Sequence, residues 1–300
     1  MLTELATFSD RLFVAAAGIY ALAMIFHAVE FAAARAKSPA LVGAGAPAEE
    51  STRTRPERFG RMAVAVTVLG AALHLVSLAT RGLAAERWPM GNMYEFISAI
   101  CLAAVVTWLV VLRRSPSARP AGPFVLFPVL VLMALAGSVL YVPTGPVVPP
   151  LRSYWMSIHV STISVSSGLL VVAGVASLLF LLRRSGSLAG VAEKLPAADA
   201  LDRLAYRITI IAFPLFTFAI ITGAIWAEAA WGRFWGWDPK ETVAFVSWVI
   251  YAAYLHARAT AGWRTGRAAW VNVAGFATIV FNLFFINMVV AGLHSYAGVG

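Results

Sequence analysis

An all-α, polytopic membrane fold is the class that this sequence predicts, and three observations predict it. The 300-residue chain is 60% hydrophobic and 12% charged, where ordinary soluble domains carry roughly 25% charged residues. Apolar runs of about twenty residues, enough to cross a bilayer as a helix, recur along the whole length. Its 15 prolines and 23 glycines would disturb a soluble bundle but are tolerated in membrane helices. Residues 1–300 therefore read as a single transmembrane domain in contact with membrane lipid. The formal charge of +9 would suit nucleic acid only on a basic face of a soluble fold. No such fold is available, so no nucleic-acid partner is expected.

The spans follow in order. Met1 to Asp10 has no basic n-region, and the apolar run from Arg11 to Ala34 outlasts the about 7–15 residues of a signal h-region. It reads as a retained first span, near 12–34. Further apolar runs place spans near 62–80, 95–112, 123–142, 154–182, 206–228, 242–257 and 270–293, about eight in all. The loops 35–61, 113–119, 183–207 and 258–267 hold 17 of the 23 lysines and arginines. By the positive-inside rule these loops are cytoplasmic, and both termini lie on the outer side. The single cysteine, Cys101, sits in an apolar stretch. It excludes a disulfide, a CxxC redox pair and a CxxCH for haem attachment to this chain, and it reads as packing.

All five histidines lie in or at the ends of apolar spans. An ionisable side chain in a membrane is costly, and each one is a functional hypothesis. His159 is about a turn into the fifth span from outside, and His294 stands where the eighth span emerges, at the same outer depth. His159 shares a face with Thr162 and Ser166, and Asn287 with His294. Each ring thus has polar neighbours to orient its second nitrogen, although a snorkelling interfacial histidine would also sit here. His256 is 14 residues below the start of the seventh span, or about 20 Å deeper, beside Arg258. His27 lies at a similar depth, and His74 is in the outer half. For these last two, structural hydrogen bonding is the expectation.

Between the sixth and seventh spans, residues 226–241 read WAEAAWGRFWGWDPKE. An interfacial aromatic belt explains scattered tryptophans. It does not explain Trp231, Trp235 and Trp237 alternating with Gly232 and Gly236 ahead of an Asp-Pro turn. Flat aromatic faces stack on a large conjugated ring, and glycines let backbone approach it. Arg233, Lys240 and the neighbouring Arg152 are placed to pair with carboxylates. A planar, apolar dicarboxylate bracketed by two histidines describes haem with two axial imidazoles.

The run from Trp231 to Thr242, with Trp235, Trp237 and Asp238-Pro-Lys240-Glu-Thr, resembles the tryptophan-rich WWD signature of haem-handling proteins. Its ending resembles the CcsA/ResC branch of system II cytochrome c biogenesis, called CcsB in some lineages. Pro89-Met-Gly-Asn92-Met-Tyr94-Glu95 and Trp155-x-x-Ile-His159-Val match further signatures, and the likeness runs from about His74 to Tyr296. The resemblance implies that His159 and His294 are outer axial ligands of non-covalent haem b, flanking the WWD loop. It implies that His256 binds haem before export, with the second ligand from a ResB-type subunit. His27 receives no role from it. The implied function is haem export and presentation to the CxxCH of an apocytochrome c, within a cytochrome c synthase complex of the cytoplasmic membrane. The residues offer no acid/base pair or nucleophile for bond-making, so enzyme status in its own right stays open. Two rivals stand beside this reading: a b-type electron-transfer cytochrome, which would pair His27 with His256, and a secondary transporter for an organic anion, which would show inverted repeats that are not visible here.

Overall fold

The computed structural model describes residues 1–33, 55–260, 263, 266–290 and 292–294. Arg35, Lys37, Arg53 and Arg264 of the basic loops, and Tyr296, lie outside the described residues. The described chain is helical, with no strand. Its helices are α1 (Leu2–Ala33), α2 (Arg55–Ala85), α3 (Met93–Arg114), α4 (Gly122–Ser138), α5 (Tyr154–Ser185), α6 (Ala189–Ala192), α7 (Ala198–Trp231), α8 (Pro239–Ala259) and α9 (Gly266–Phe281). Short 3₁₀ turns, Pro116–Ala121 and Pro149–Arg152, precede α4 and α5, and a π-helical segment, Asn282–Ile286, extends α9.

Caps written in the sequence fix several boundaries. The Asn92 side chain accepts the Glu95 amide at the start of α3, and a capping box of Asp238 and Glu241, with Pro239 at the first position, starts α8. Gly186 and Gly232 stop α5 and α7 with φ of 68° and 71°, the left-handed turn that glycine takes without penalty. Helix α1 starts at Leu2 rather than near residue 12, because its polar first turns stay helical: the Thr7 hydroxyl donates to the Thr3 carbonyl at 3.0 Å.

Seven helices are long and apolar enough to cross a membrane: α1 to α5, α7, and α9 with its π-helical extension. The multi-pass membrane fold stands. The expected seventh span, α8, is a continuous helix of 21 residues but is not among those seven, since Lys240, Glu241, His256 and Arg258 dilute its apolar run. Its two ends are tied to other elements. Asp238 at its start bonds His294, and Arg258 near its end pairs with Asp202 in the first turns of α7 at 2.8 Å.

Helix α5 is the most enclosed span and packs on α3, α7 and α9, while α1 pairs with α2 and leans on α4. Trp108 and Cys101 are fully buried in the main core. Where α2 ends and α3 begins, the buried carboxylate of Glu95 accepts from Arg81 at 2.9 Å and Arg87 at 2.8 Å. Arg81 reaches Asp10 at 3.2 Å. Pairing of this kind offsets the cost of withdrawing charges from water.

Candidate functional site

At the end of the bundle that carries the 226–241 loop, α3, α5, α7, α8 and the last span surround a cavity. It encloses about 1290 Å³ of empty space, part of it open to the surroundings. The walls are mostly apolar, with Phe96, Ile163, Phe216 and Ile279 among them, and the few polar groups include His159, His294 and Lys240.

His159 and His294 both line this cavity, but neither is oriented by the neighbour expected for it, and Asp238 rather than Asn287 holds His294. His159 Nδ1 donates to the Ala219 carbonyl of α7 at 2.8 Å, while Thr162 bonds the Ile158 carbonyl of its own helix. This approach depends on Gly223, where a Cβ would lie 2.7 Å from the His159 ring. The Ala219 oxygen can only accept, so Nδ1 carries the proton and Nε2 the lone pair. His294 Nδ1 donates to Asp238 Oδ1 at 2.8 Å, and the Leu293 amide donates to Oδ2 at 2.8 Å. An imidazole tied at Nδ1 to a carbonyl or carboxylate is the usual arrangement of a metal ligand using Nε2.

Burial pushes the His294 imidazole down from its ordinary value, and Asp238 offsets this only in part. Burial works upward on Asp238, but bonds from His294, Leu293 and Lys240 outweigh it and hold its carboxyl at about 2. At neutral pH the pair is therefore a neutral imidazole on an ionised carboxylate.

The aromatic groups are arranged differently from a flat platform. Trp226 touches both histidines: its ring stacks on His159 at 5.9 Å and 10°, and meets His294 edge-on at 5.5 Å. Trp231 backs the pair, 5.0 Å from His294 and 4.8 Å from Trp226, and Trp235 and Phe234 line the cavity. Trp237 turns outward, 66% exposed, on a left-handed backbone with φ of 58°. The glycines also serve otherwise than expected. Gly232 ends α7, and Gly236 makes room for the Arg233 guanidinium, which a Cβ there would meet at 1.9 Å.

Two glutamates, the buried Glu95 and the partly buried Glu241, which sequence reasoning did not single out as site residues, hold the loops beside the cavity. Glu241 accepts from Arg233 at 3.2 Å and from the Gly236 and Asp238 amides. Glu95 likewise gathers the Gly91 amide and the Asn92 side chain beside its arginines. A glutamate three residues past an Asp or Asn cap was the readable signal in both places. Arg233 is thus committed to Glu241, and Arg152 donates to the Val147 carbonyl on the exposed rim.

The other histidines lie elsewhere. His74 is enclosed by hydrogen bonds to Ser98 at 2.8 Å and Tyr20 at 3.4 Å. His256 is exposed on α8. His27 is fully buried with neither ring nitrogen hydrogen-bonded. It packs against Gly122 of α4 and lies 3.8 Å from Glu30.

The cytochrome C assembly protein family model matches residues 90–294, from the start of α3 to His294. A cytochrome c biogenesis protein CcsA of a Synechococcus strain is 37% identical over 263 residues, covering 78% of this chain and 84% of its own. The Gloeobacter violaceus CcsA is 32% identical over 282 residues, covering 73% and 83%. The fold matches that of a cytochrome c heme lyase, CcmF, with a TM-score of 0.65 at 17% identity. That match takes in 93% of this chain, which spans 46% of the CcmF chain.

Proposed function

The chain belongs to the cytochrome C assembly protein family, and from that premise we propose that it handles haem for cytochrome c maturation. Non-covalent haem b is held at the outer face between His159 and His294 and presented to the CxxCH of an apocytochrome c. The site faces the outer side of the cytoplasmic membrane, and both termini lie there. The observation that carries this reading is the pair of imidazoles, each fixed at Nδ1, on the wall of one large apolar cavity.

The donor set fits haem. Two neutral imidazoles offer Nε2 lone pairs for the iron, aromatic and aliphatic walls suit the macrocycle, and a cation is present for its carboxylates. When bound, haem supplies the vinyl carbons to which the apocytochrome's thiols add. Each sulfur forms a bond to one vinyl carbon, and the thiol proton ends on the other. The chain's own residues hold and orient. Ala219 and Asp238 set both tautomers, Trp226 keeps the rings in place, and the glutamate-held loops limit water. Bond-making needs no nucleophile from this protein, which acts as a subunit of a cytochrome c synthase with a ResB-type partner.

His256 serves an inner site some 20 Å away by helical rise, completed by a histidine of that partner. Its exposure on α8 leaves it open to another chain. The electron-transfer alternative, with His27 opposite His256, is disfavoured: His27 is enclosed beside α4, whereas α8 packs chiefly on α9 and α7.

The test replaces His159 or His294 with Gly and measures c-type cytochrome maturation together with haem spectra of the purified protein. Each variant is expected to abolish maturation, with partial recovery on adding imidazole. Maturation that survives both substitutions without imidazole overturns the reading.

A further inference from the structure

We infer that Lys240, held by the π-helical segment of the last span, forms one subsite in the cavity wall for a single carboxylate of the cavity's ligand. The inference rests on the haem reading above and adds which cation is used, and what aims it.

Two cations of the loop were candidates for pairing with a carboxylate, and their surroundings differ. Arg233 already pairs with Glu241 at 3.2 Å, so its charge is neutralised before any ligand arrives. Lys240 lines the cavity, yet no carboxylate among the described residues lies within ion-pair distance of it. Asp238, two residues earlier, has its oxygens on His294 and on the Leu293 and Lys240 amides. An ammonium has three donors, and the hydrogen bond seen at Nζ goes to Asn287 Oδ1, with the Phe96 ring 5.7 Å away. A cation partly withdrawn from water, with Asp238 nearby but outside ion-pair distance, is only partly balanced. An anionic group in the cavity completes that balance.

The last span is shaped around this lysine. Its helix widens into a π-turn at Asn282–Ile286, a distortion often found at functional sites. Asn282 donates to the Lys240 carbonyl at 3.2 Å. Asn287 anchors its own amide on the Leu283 carbonyl at 2.7 Å, which turns its oxygen toward Nζ. Asn282 Oδ1 is left buried with no hydrogen-bond partner. Both asparagines line the cavity with Lys240. Asn287 is therefore a positioning residue: it aims the ammonium, and Lys240 takes the carboxylate. With Arg233 committed and Arg152 on the rim, only one of the ligand's two carboxylates is held in this way.

The experiment titrates the full chain in detergent with haem, haem dimethyl ester and the two haem monomethyl ester isomers, reading the low-spin bis-histidine spectrum. The wild type is expected to bind haem roughly ten- to hundredfold tighter than the diester, the worth of a charge-assisted hydrogen bond. One monoester isomer should behave like haem and the other like the diester. Lys240→Met should bind all four alike at the diester level with an unchanged spectrum, Lys240→Arg should keep the preference, and Asn287→Leu should weaken it. Equal affinities in the wild type, or a preference that survives in Lys240→Met, overturn the subsite while the haem reading stands, and a preference unchanged in Asn287→Leu overturns the positioning role. Two monoesters weakened alike overturn the single-carboxylate assignment. Absence of any low-spin complex in the wild type overturns the haem reading itself.

Discussion

Asp238 and His294, 56 positions apart in the chain, are joined by a 2.8 Å hydrogen bond between Oδ1 and Nδ1. The bond couples the cap of α8 to the imidazole beyond the last span. The residue that starts a helix and the residue that orients a ligand are one and the same. Asp238→Asn should keep much of the cap, because asparagine caps nearly as well, but should lose the charge behind the imidazole. A charge-assisted bond contributes about 1.5–3 kcal/mol. Haem recovered per protein should fall about tenfold or more with insertion unchanged, as read by absorbance after purification. Unchanged haem content would separate Asp238 from the site.

The pH response follows from the lowered His294 value. Iron binds the neutral imidazole, and a depressed value keeps the ring neutral below its ordinary range near 6.5. Low-spin haem should therefore persist as pH falls from 8 through 6 and be lost only in more acid solution. Asp238 works upward on His294, so Asp238→Asn should not move the transition to higher pH. A wild-type transition centred at the ordinary value would contradict this.

Gly223→Ala places a methyl group 2.7 Å from the His159 ring, inside contact distance. The ring must leave the Ala219 carbonyl. Haem content and maturation should drop sharply while membrane insertion and amount stay near normal, a combination that quantitative blotting and spectra can read together.

Trp226→Ala should deplete haem more than Trp237→Ala. The first removes a ring in contact with both histidines and leaves a cavity costing about 3–5 kcal/mol. The second removes a largely exposed side chain from a left-handed position that itself costs about 1–3 kcal/mol. Equal losses would mean that the loop acts only through folding.

His256→Ala, in the complex with the partner subunit, should lower haem at both sites, because the inner site feeds the outer one. His27→Ala should leave haem nearly unchanged, since its ring is sealed beside Gly122. Matching losses from the two would place the inner iron within this chain.

Most of the bundle was legible because apolar runs and caps are local signals. The spans, the shared depth of His159 and His294, and the tryptophan-rich loop follow from spacing, whereas the pair's role as ligands was implied by the resemblance. What escaped was set by contacts between distant segments. A main-chain carbonyl such as that of Ala219 has no signature in sequence, and neither does the need for Gly223 beside it. Trp226 looked like one more tryptophan, because only the crossing of α5 and α7 puts it between two imidazoles. The division of labour between Arg233 and Lys240 depended on where Glu241 turned, and that is decided by the folded loop.

The order of the chain gives the long-range pairing a temporal side. Segments nearer the N-terminus emerge first during synthesis. His159, Asp238 and Lys240 therefore emerge before the segment carrying Asn282, Asn287 and His294. Until that last span threads into place, the carboxylate at residue 238 has no imidazole, the ammonium at residue 240 has no amide to aim it, and the cavity lacks a wall. A nascent or truncated protein thus offers a lone histidine in an open cleft. Ligand capture by both imidazoles is therefore deferred until that span is in place.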